Sequence, residues 1–395
     1  MATVIPCPTK PVVIGIYGIP ASGKSHLLRN LKNCLGTEGF EFYEGSEVIN
    51  NCCPGGLESF CCMNEREQEH WRTIAIRTIQ EDALNKKVTA VVAGHFMFWP
   101  QGSDIRDIVY TSADLDVYTH ILYLDTPSET IAKYRAADTK RRAASTSLSH
   151  LDRWKEAEKS QLRSLCRNHG ILFLNLTAHI SLTSAICTIL KHFQVHTEAY
   201  NDELVQECLD KKLQKRDSPI ETVLLFDSDK TLTPQDSGHM FWEQVHIQNQ
   251  KSTGGSTLKE LFDSPLRYSY TAFRQATLLY EEALDEATFE AQCRRVASFI
   301  TMYSEFVNLL RVAARKPHVR IIVITCGLRQ VWEEVFKREG LSDSVEVIGG
   351  GQIRNGYVVT AGVKGLLARR LQKVHNAYVW AFGDSPLDLP MKPLW

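Results

Sequence analysis

The segment from Val12 to Ser25 constrains the fold of the N-terminal half more than any other stretch. It reads VVIGIYGIPASGKS, an apolar run rich in β-branched residues that ends in the pattern G-x-x-x-x-G-K-S. Glycines at positions 18 and 23 permit backbone conformations in which consecutive N–H groups converge on an anion. The helix expected to follow adds the positive end of its dipole. The segment therefore predicts a phosphate-binding loop between a buried strand and a helix.

Each position of this loop has an expected task. Lys24 is expected to contact the β- and γ-phosphates of ATP, and the Ser25 hydroxyl to hold Mg²⁺, so ATP and Mg²⁺ are the predicted cofactors. Lys24 is also a predicted catalytic residue. The predicted nucleotide-binding residues of the loop are Gly18, Ile19, Pro20, Ala21, Ser22, Gly23, Lys24 and Ser25.

Length and charge limit the class of partner. A chain of 395 residues is expected to hold two domains, at roughly 150 residues each. The net charge of -1 gives no bulk attraction to nucleic acid, which disfavours a nucleic-acid partner and favours small-molecule substrates. No run approaches roughly 18 apolar residues and no signal peptide is visible, so we expect no membrane partner and a cytoplasmic location.

The eleven cysteines favour a reducing compartment, because an odd number scattered over the chain does not suggest a disulfide framework. Two vicinal pairs, Cys52-Cys53 and Cys61-Cys62, fall in one predicted loop. Zinc sites usually show C-x2-C spacing, so ordinary thiols are favoured over a zinc site.

Apolar strands alternate with helical patterns through the first 195 residues, which predicts an α/β domain with a doubly wound parallel sheet. The second strand runs out into a predicted loop that carries Glu44, Ser46 and Glu47. Ligands of open parallel sheets bind beyond the carboxyl ends of the strands, so these three residues are expected near a second substrate. The strand at 88–95 ends in Gly94-His95, where His95 could contact a substrate or serve a structural role.

This pattern resembles the small P-loop kinase family, which includes gluconate, shikimate and polynucleotide kinases, over residues 10–195. The resemblance implies that Glu44, twenty residues after Lys24, orients or deprotonates the acceptor hydroxyl. It also implies a mobile lid of arginines over the transferring phosphoryl group. The predicted lid residues are Arg135, Arg141 and Arg142. The family usually places an aspartate where this chain has Gly94-His95, which weakens the expected metal binding.

Residues 196–219 are polar and highly charged, and they end in Lys-Arg-Asp-Ser-Pro. This composition predicts an exposed helix that serves as a linker between domains 1–195 and 220–395.

A second chemical pattern follows this linker. The strand at 223–226 opens into Asp227-Ser-Asp229-Lys-Thr231, which places two carboxylates two residues apart at a strand end. Asp227 would attack phosphorus, and Asp229 would protonate the leaving oxygen and later activate water. Thr325 ends a buried strand and would hold a phosphate oxygen, while Lys364 would neutralise developing charge. The predicted metal ligands are Ser25 in the first domain and Asp227, Asp229, Asp384 and Asp388 in the second.

Together these four pieces resemble the motifs of the haloacid dehalogenase (HAD) superfamily over residues 221–395, and look closest to its phosphoserine phosphatase branch. The resemblance implies a second doubly wound parallel-sheet domain of Rossmann-like type. It also implies that Asp227 is the nucleophile, Asp229 the acid/base and Asp384 the principal metal carboxylate. Helical periodicity between Thr231 and Arg320 predicts a helical cap at about 234–318 that closes over the site.

The chain stops seven residues beyond Asp388, where the HAD fold normally continues through another strand and helix, so an abbreviated sheet is expected. Fungal proteins that this chain resembles share the P-loop and HAD order, and they can continue into a uracil phosphoribosyltransferase-like domain.

Three functions are compatible with these motifs. The first is an ATP-dependent small-molecule kinase fused to a Mg²⁺-dependent HAD phosphatase. The second is polynucleotide end repair, since kinase and HAD phosphatase activities also occur fused in polynucleotide kinase-phosphatases; the near-neutral charge and the large cap speak against it. The third is a nucleotide-sensing protein without turnover.

Overall fold

The computed structural model describes residues 10–37, 39–137, 146–177, 180, 183–214, 219–248 and 257–392. The chain divides into two compact units, Met1–Gln194 and Val195–Trp395, each with its own parallel sheet and core.

The sheet of the first unit has the order β2-β3-β1-β6-β7, and all its pairs are parallel. A short antiparallel pair, β4 and β5, lies apart from it. The strands are β1 (Val13–Tyr17), β2 (Phe40–Glu44), β3 (Thr89–Ala93), β4 (Met97–Phe98), β5 (Asp107–Ile108), β6 (His120–Leu124) and β7 (Leu172–Leu176). The helices are α1 (Lys24–Leu35), α2 (Gly45–Cys52), α3 (Gly56–Cys62), α4 (Glu65–Lys86), α5 (Ser112–Val117), α6 (Ser128–Ala137), α7 (Leu148–His169) and α8 (Thr183–Val195).

Three strands of this sheet are buried on both faces. Every residue of β1, β3 and β7 is buried, as expected for parallel strands whose connecting helices cover both sides of the sheet. Helices α4 and α7 supply apolar side chains to the same core, among them Ile76, Ile79 and Trp154.

One part of the first unit differs from the sequence prediction. The segment after β2 is not a loop, because α2 begins directly at Gly45 and α3 follows from Gly56. The left-handed backbone of Gly55 and Gly56 separates the two helices. Residues Cys52, Cys61 and Cys62 therefore lie at helix ends.

The sheet of the second unit has the order β10-β9-β8-β11 and is also parallel. Its strands are β8 (Thr222–Phe226), β9 (Val319–Leu328), β10 (Val345–Gly350) and β11 (Tyr378–Phe382). Its helices are α9 (Glu198–Leu213), α10 (Ser237–Gln248), α11 (Thr257–Phe262), α12 (Tyr270–Ala283), α13 (Glu286–Phe299), α14 (Ser304–Ala314), α15 (Arg329–Arg338) and α16 (Ala361–Lys373). Two 3-10 turns span Ile353–Asn355 and Pro386–Met391.

Helices α10 to α14 form the described part of the insertion between β8 and β9. Their apolar side chains share one core with the sheet, in which Phe241 and Phe289 are fully buried beside Val323. The sequence predicts one helix from 290 to 312, but the structure has two, because the backbone is extended at Ile300 and α14 begins at Ser304.

The structure corrects the prediction of an exposed linker helix. Within 196–219, α9 is not an exposed connector, because Val205, Leu209 and Leu213 are buried in the core of the second unit. Asn201 is fully buried and bridges to Val358: its Nδ2 donates to the Val358 carbonyl, and its Oδ1 accepts from the Val358 N–H. Charged residues on the outer face of α9 concealed this apolar stripe in the composition.

Both units are α/β with parallel sheets, which confirms the predicted fold class. Among the described residues, no helix combines the length and apolar character that crossing a bilayer requires.

The packing of α9 gives a stability prediction. Leu209→Ala should lower the free energy of unfolding of the second unit by about 2–5 kcal/mol, because it leaves a cavity under a fully buried side chain. Lys211→Ala is the matched control on the same helix, with a side chain 76% exposed, and it should change stability by less than about 0.5 kcal/mol. Urea unfolding of the full chain measures both; equal effects would contradict the packing of α9.

Candidate active sites

The phosphate loop follows β1 and bends sharply at Gly18. Its φ of 150° lies outside the range that side-chain-bearing residues favour, and a Cβ there would stand 2.9 Å from both the Leu124 carbonyl oxygen and Ser22 Oγ. Gly23 has φ 95° at the start of α1. The two glycines of the motif are therefore required by the backbone path itself.

Lys24 is buried, with 7% of its surface exposed. Its Nζ donates to the carbonyl oxygens of Gly18 at 2.6 Å and Ile19 at 3.2 Å. His95 Nδ1, from the segment that follows β3, lies 3.5 Å from the same Nζ. The loop, its lysine and the end of β3 thus meet at one point.

Two features of the loop suit a phosphate anion. Ser22 Oγ is buried and has no hydrogen-bond partner among the described residues. Within the same part of the chain, no side chain caps the N-terminus of α1, so its first-turn N–H groups retain hydrogen-bonding capacity for an anion. The residues present therefore fit a bound nucleotide phosphate.

A cleft of about 1760 Å³ opens beside the loop. Its lining includes Pro20 to Ser25 of the loop, together with Glu44, His95 and Arg135. The carbonyl oxygens of Gly18 and Ile19 accept the hydrogen bonds from Lys24 Nζ described above. The structure thus brings Glu44 and Arg135 to the same cleft as Lys24, whereas Arg141 and Arg142 lie outside the described residues.

The lining of the cleft also contains a residue that sequence reasoning missed. Arg72 lies with its guanidinium 5.3 Å from the centre of the Phe60 ring, and its Nη2 donates to Gln68 Oε1 at 3.1 Å. Gln68 is held in turn by the carbonyls of Phe60 and Met63. Burial lowers the pKa of Arg72. Arg72 is one of several charges on an amphipathic helix, so the periodicity gave no signal for it.

The second site is organised around Lys364 of α16. Its side chain is 2% exposed, and Nζ donates to Asp227 Oδ1 and to Asp388 Oδ1, both at 2.6 Å. Asp227 stands directly after β8, and Asp388 lies in the 3-10 turn after β11. Because β8 and β11 are parallel neighbours, their carboxyl ends deliver both carboxylates to one ammonium group.

Three carboxylates could hold a cation. Asp227, Asp384 and Asp388 each offer an oxygen, and these oxygens all lie within 4.8 Å of one another. Thr231 Oγ1 lies near two of them, 3.3 Å from Asp227 Oδ2 and 3.1 Å from Asp384 Oδ1. Hard carboxylate oxygens suit Mg²⁺, so this donor set fits the predicted metal.

Asp229 does not join that cluster. Its Oδ1 accepts from the Ser237 N–H at 2.9 Å and from Trp332 Nε1 at 3.3 Å, and its Oδ2 accepts from Ser237 Oγ at 2.8 Å. The predicted role of its side chain as a metal ligand is therefore not supported. Ser237 and Trp332 were missed because they belong to no motif. Burial, aided by the charges of Asp236 and Asp227 and opposed by Ser237, raises the pKa of Asp229 to about 7.

Thr325 lies near the carboxyl end of β9 and is 1% exposed. Its Oγ1 accepts from the Gly327 N–H at 2.9 Å. A Cβ on Gly327 would stand 2.8 Å from Asp229 Oδ2 and 3.2 Å from Thr325 Oγ1. Glycine at this position thus lets β9 approach the aspartate closely, and any larger residue would displace one of the two side chains.

Burial and pairing both shift the pKa values of Asp227 and Lys364. Burial raises the pKa of Asp227, although Lys364 opposes the shift. Burial acts against the charge of Lys364 as well, but Cys326 and Asp227 outweigh it, so the pKa of the lysine is raised. Lys364 therefore stays charged between the two aspartates.

The folds and sites define the class: a phosphate-loop domain with an adjacent cleft, followed by a parallel-sheet domain with a cluster of carboxylates around a buried lysine. Comparison with family models agrees. Residues 17–152 match the AAA domain model, and residues 224–392 match the haloacid dehalogenase-like hydrolase model. The chain thus carries a P-loop, kinase-like domain and a HAD hydrolase domain, which confirms both resemblances. These are enzyme domains.

The solved structures to which the chain is similar have low identity and low TM-scores. A phosphoserine phosphatase in phospho-aspartyl analogue form is 15% identical, covers 44% of this chain and 82% of its own, and has a TM-score of 0.30. Shikimate kinase from Acinetobacter baumannii is 15% identical over 48% of this chain and 97% of its own, with TM-score 0.30. The Pnkp1/Rnl/Hen1 RNA repair complex contains a chain that is 9% identical over 99% of this chain and 94% of its own, with a TM-score of 0.26. No curated protein sequence is similar enough to count as a match.

The pairing around Lys364 gives a second stability prediction. Lys364→Met should destabilise the second unit by about 3–5 kcal/mol in the presence of a chelator, because two buried carboxylates lose their counter-charge. Lys373→Met, at an exposed position of the same helix, should have little effect. Chemical denaturation of both variants measures the difference; a loss below about 1 kcal/mol for Lys364→Met would argue against a buried ion pair.

Proposed function

We propose that the first unit transfers the γ-phosphoryl group of ATP to a hydroxyl group of a small molecule, and that the second is a Mg²⁺-dependent phosphomonoesterase. The observation that carries this proposal is the presence of two separate sites, each built on a buried lysine beside groups suited to phosphoryl oxygens.

In the first site the acceptor oxygen forms a bond to the γ-phosphorus while the bond from that phosphorus to the β–γ bridging oxygen breaks. Lys24 neutralises charge on the phosphates, and Arg135 lies in the same cleft to assist. Glu44 takes the proton of the acceptor hydroxyl. Mg²⁺, when bound, supplies charge neutralisation for the triphosphate, with the Ser25 hydroxyl as its ligand in the loop.

In the second site a carboxylate oxygen of Asp227 attacks phosphorus and the bond to the leaving oxygen breaks, giving an aspartyl phosphate. Asp229 gives its proton to that leaving oxygen; it then takes a proton from the water that attacks phosphorus and releases phosphate. Thr325 and Lys364 hold the phosphoryl oxygens and the nucleophile in place. Asp227, Asp384 and Asp388 would hold Mg²⁺, which neutralises charge on the phosphoryl group.

A small molecule is favoured over a polymer for both sites. The described lining of the first cleft includes both acidic residues, such as Glu44, and basic ones, such as Arg72, so this part of the cleft does not form the positive stripe that tracks a nucleic-acid backbone. In the second site, Ser237 at the start of the helical insertion contacts the carboxylate of Asp229 directly. The insertion therefore lies against this site, which favours a small substrate over a polymer. The cytoplasmic location stays a prediction from the sequence.

Lys24→Ala tests the first half of the proposal. Nucleotide affinity should fall about 10- to 100-fold, because a charge-assisted hydrogen bond worth about 1.5–3 kcal/mol is lost. Calorimetric titration with ATP and a screen of acceptors, including a 5′-hydroxyl oligonucleotide, measure this. Lys32→Ala, exposed on the same helix, is the control and should bind like wild type. Wild-type affinity in Lys24→Ala would remove the kinase proposal, and transfer confined to the oligonucleotide would favour end repair.

Asp227→Asn tests the second half. Mg²⁺-dependent turnover of a phosphomonoester panel should fall by about 10³-fold or more, because the amide cannot act as the nucleophile. ATP binding by the first unit should be unchanged. Asp263→Asn, at an exposed position of the insertion, should retain full turnover. A variant Asp227→Asn that keeps its activity, or a wild type indifferent to a chelator, would contradict the phosphatase mechanism.

A further inference from the structure

The first unit contains a buried acid that the steps above do not use. Glu158 lies in the middle of α7 and none of its surface is exposed. Trp154 and Leu162, one turn before and one turn after it, are buried on the same face of the helix. A carboxylate in such a stripe is costly unless it is neutral or its charge is stabilised, so its surroundings decide what it does.

Those surroundings connect Glu158 to the phosphate loop. Tyr123 Oη, from β6, donates to Glu158 Oε2 at 3.3 Å. The charged form is also stabilised by the ammonium of Lys24 and by the N–H groups of Phe96 and Met97, which follow His95. Glu158 Oε1 has no hydrogen-bond partner within the described part of the chain.

The lysines next to Glu158 in sequence are committed elsewhere. Lys155 and Lys159 pair with Asp125 beyond the end of β6, at 3.4 Å and 2.9 Å. The ionisable groups that face Glu158 from the neighbouring elements are thus Lys24 from α1 and Tyr123 from β6, with His95 contacting Lys24. The charge of Glu158 is therefore coupled to the lysine that is proposed to bind the triphosphate.

We infer that Glu158 is a positioning residue of the phosphate loop. Its carboxylate supplies the negative charge that Gly94-His95 does not provide at the end of β3. This charge orients Lys24 and the segment after β3, and Glu158 takes up a proton from solvent when a triphosphate competes for the Lys24 ammonium. The inference rests on the proposed nucleotide binding of this unit.

The direction of the effect follows from the charges. Burial raises the pKa of Glu158 from its ordinary 4.5 to about 7, while Lys24 and Tyr123 oppose the shift. Triphosphate charges near Lys24 reduce that opposition and raise the pKa further when nucleotide binds. The complex then holds more protons than the free protein near pH 7, so nucleotide affinity must fall as the pH rises through this range.

Calorimetric titration of the full chain with the β,γ-imido analogue of ATP, at saturating Mg²⁺ and in two buffers of different ionisation enthalpy, measures this proton uptake. Glu158→Gln keeps an acceptor for Tyr123 but cannot ionise. We expect wild type to take up between about 0.3 and 0.5 more proton per nucleotide at pH 7 than Glu158→Gln, because about half of Glu158 is already protonated at that pH in the free protein. Glu156→Gln, whose side chain is 72% exposed on the same helix, should match wild type.

Two further measurements keep the test decisive. Tyr123→Phe removes a hydrogen bond to the charged form, so its binding profile should shift to higher pH even if Glu158→Gln folds poorly. A folded-state pKa above the ordinary value means that wild type loses stability relative to Glu158→Gln as pH rises from 4.5 through about 7. Thermal unfolding at pH 5 and pH 8 should show this.

The outcomes separate this inference from the proposed function. Equal proton uptake by wild type and Glu158→Gln, or a stability difference that does not change with pH, overturns the role of Glu158 and leaves the kinase proposal standing. Absence of nucleotide binding by wild type overturns the kinase proposal, and with it the coupling to Glu158.

Discussion

A buried ammonium group must be matched by acceptors inside its own unit, and both active sites depend on that requirement. Lys24 is held by carbonyl oxygens of its own loop, and its charge opposes the rise in the pKa of Glu158. Lys364 is held by two carboxylates that arrive from different strands. The two arrangements differ in how easily the lysine side chain can move. Carbonyl acceptors can release an ammonium group to a phosphate at modest cost, whereas an ammonium group paired with two carboxylates stays in place. The first lysine is thus suited to follow a ligand, and the second to fix the carboxylate of Asp227.

Parallel sheets explain why these groups meet at all. In each unit the strands end at one edge, so residues far apart in sequence reach the same point without long loops. In the first unit this brings the loop after β1 and the segment after β3 to Lys24. In the second, it brings Asp227 and Asp388 to Lys364, while Ser237 of the helical insertion donates a hydrogen bond to Asp229. The different surroundings of Asp227 and Asp229 therefore come from the insertion as well as from the motif.

The sequence predicted the fold class and the motif residues because strand alternation and short spacings are local signals. It could not predict contacts made by residues outside motifs. Arg72 is one of many charges on a long helix, and Ser237 and Trp332 become partners of Asp229 only through packing. Glu158 did have a readable signal, since it falls on the stripe marked by Trp154 and Leu162. The linker was wrong because abundant surface charge on α9 masked the spacing of its buried residues, such as Leu209.

The wide sequence separation within the Lys364 cluster has a consequence for biosynthesis. Asp227 and Lys364 are 137 residues apart, and Asp388 lies a further 24 along. A growing polypeptide therefore carries Asp227 for most of the translation of this unit before its partners leave the ribosome. The phosphate loop, by contrast, has its strands and α7 by about the middle of the chain, so it can assemble while the remainder is still being made. Nascent chains would thus assemble the phosphate-loop site before the Lys364 cluster.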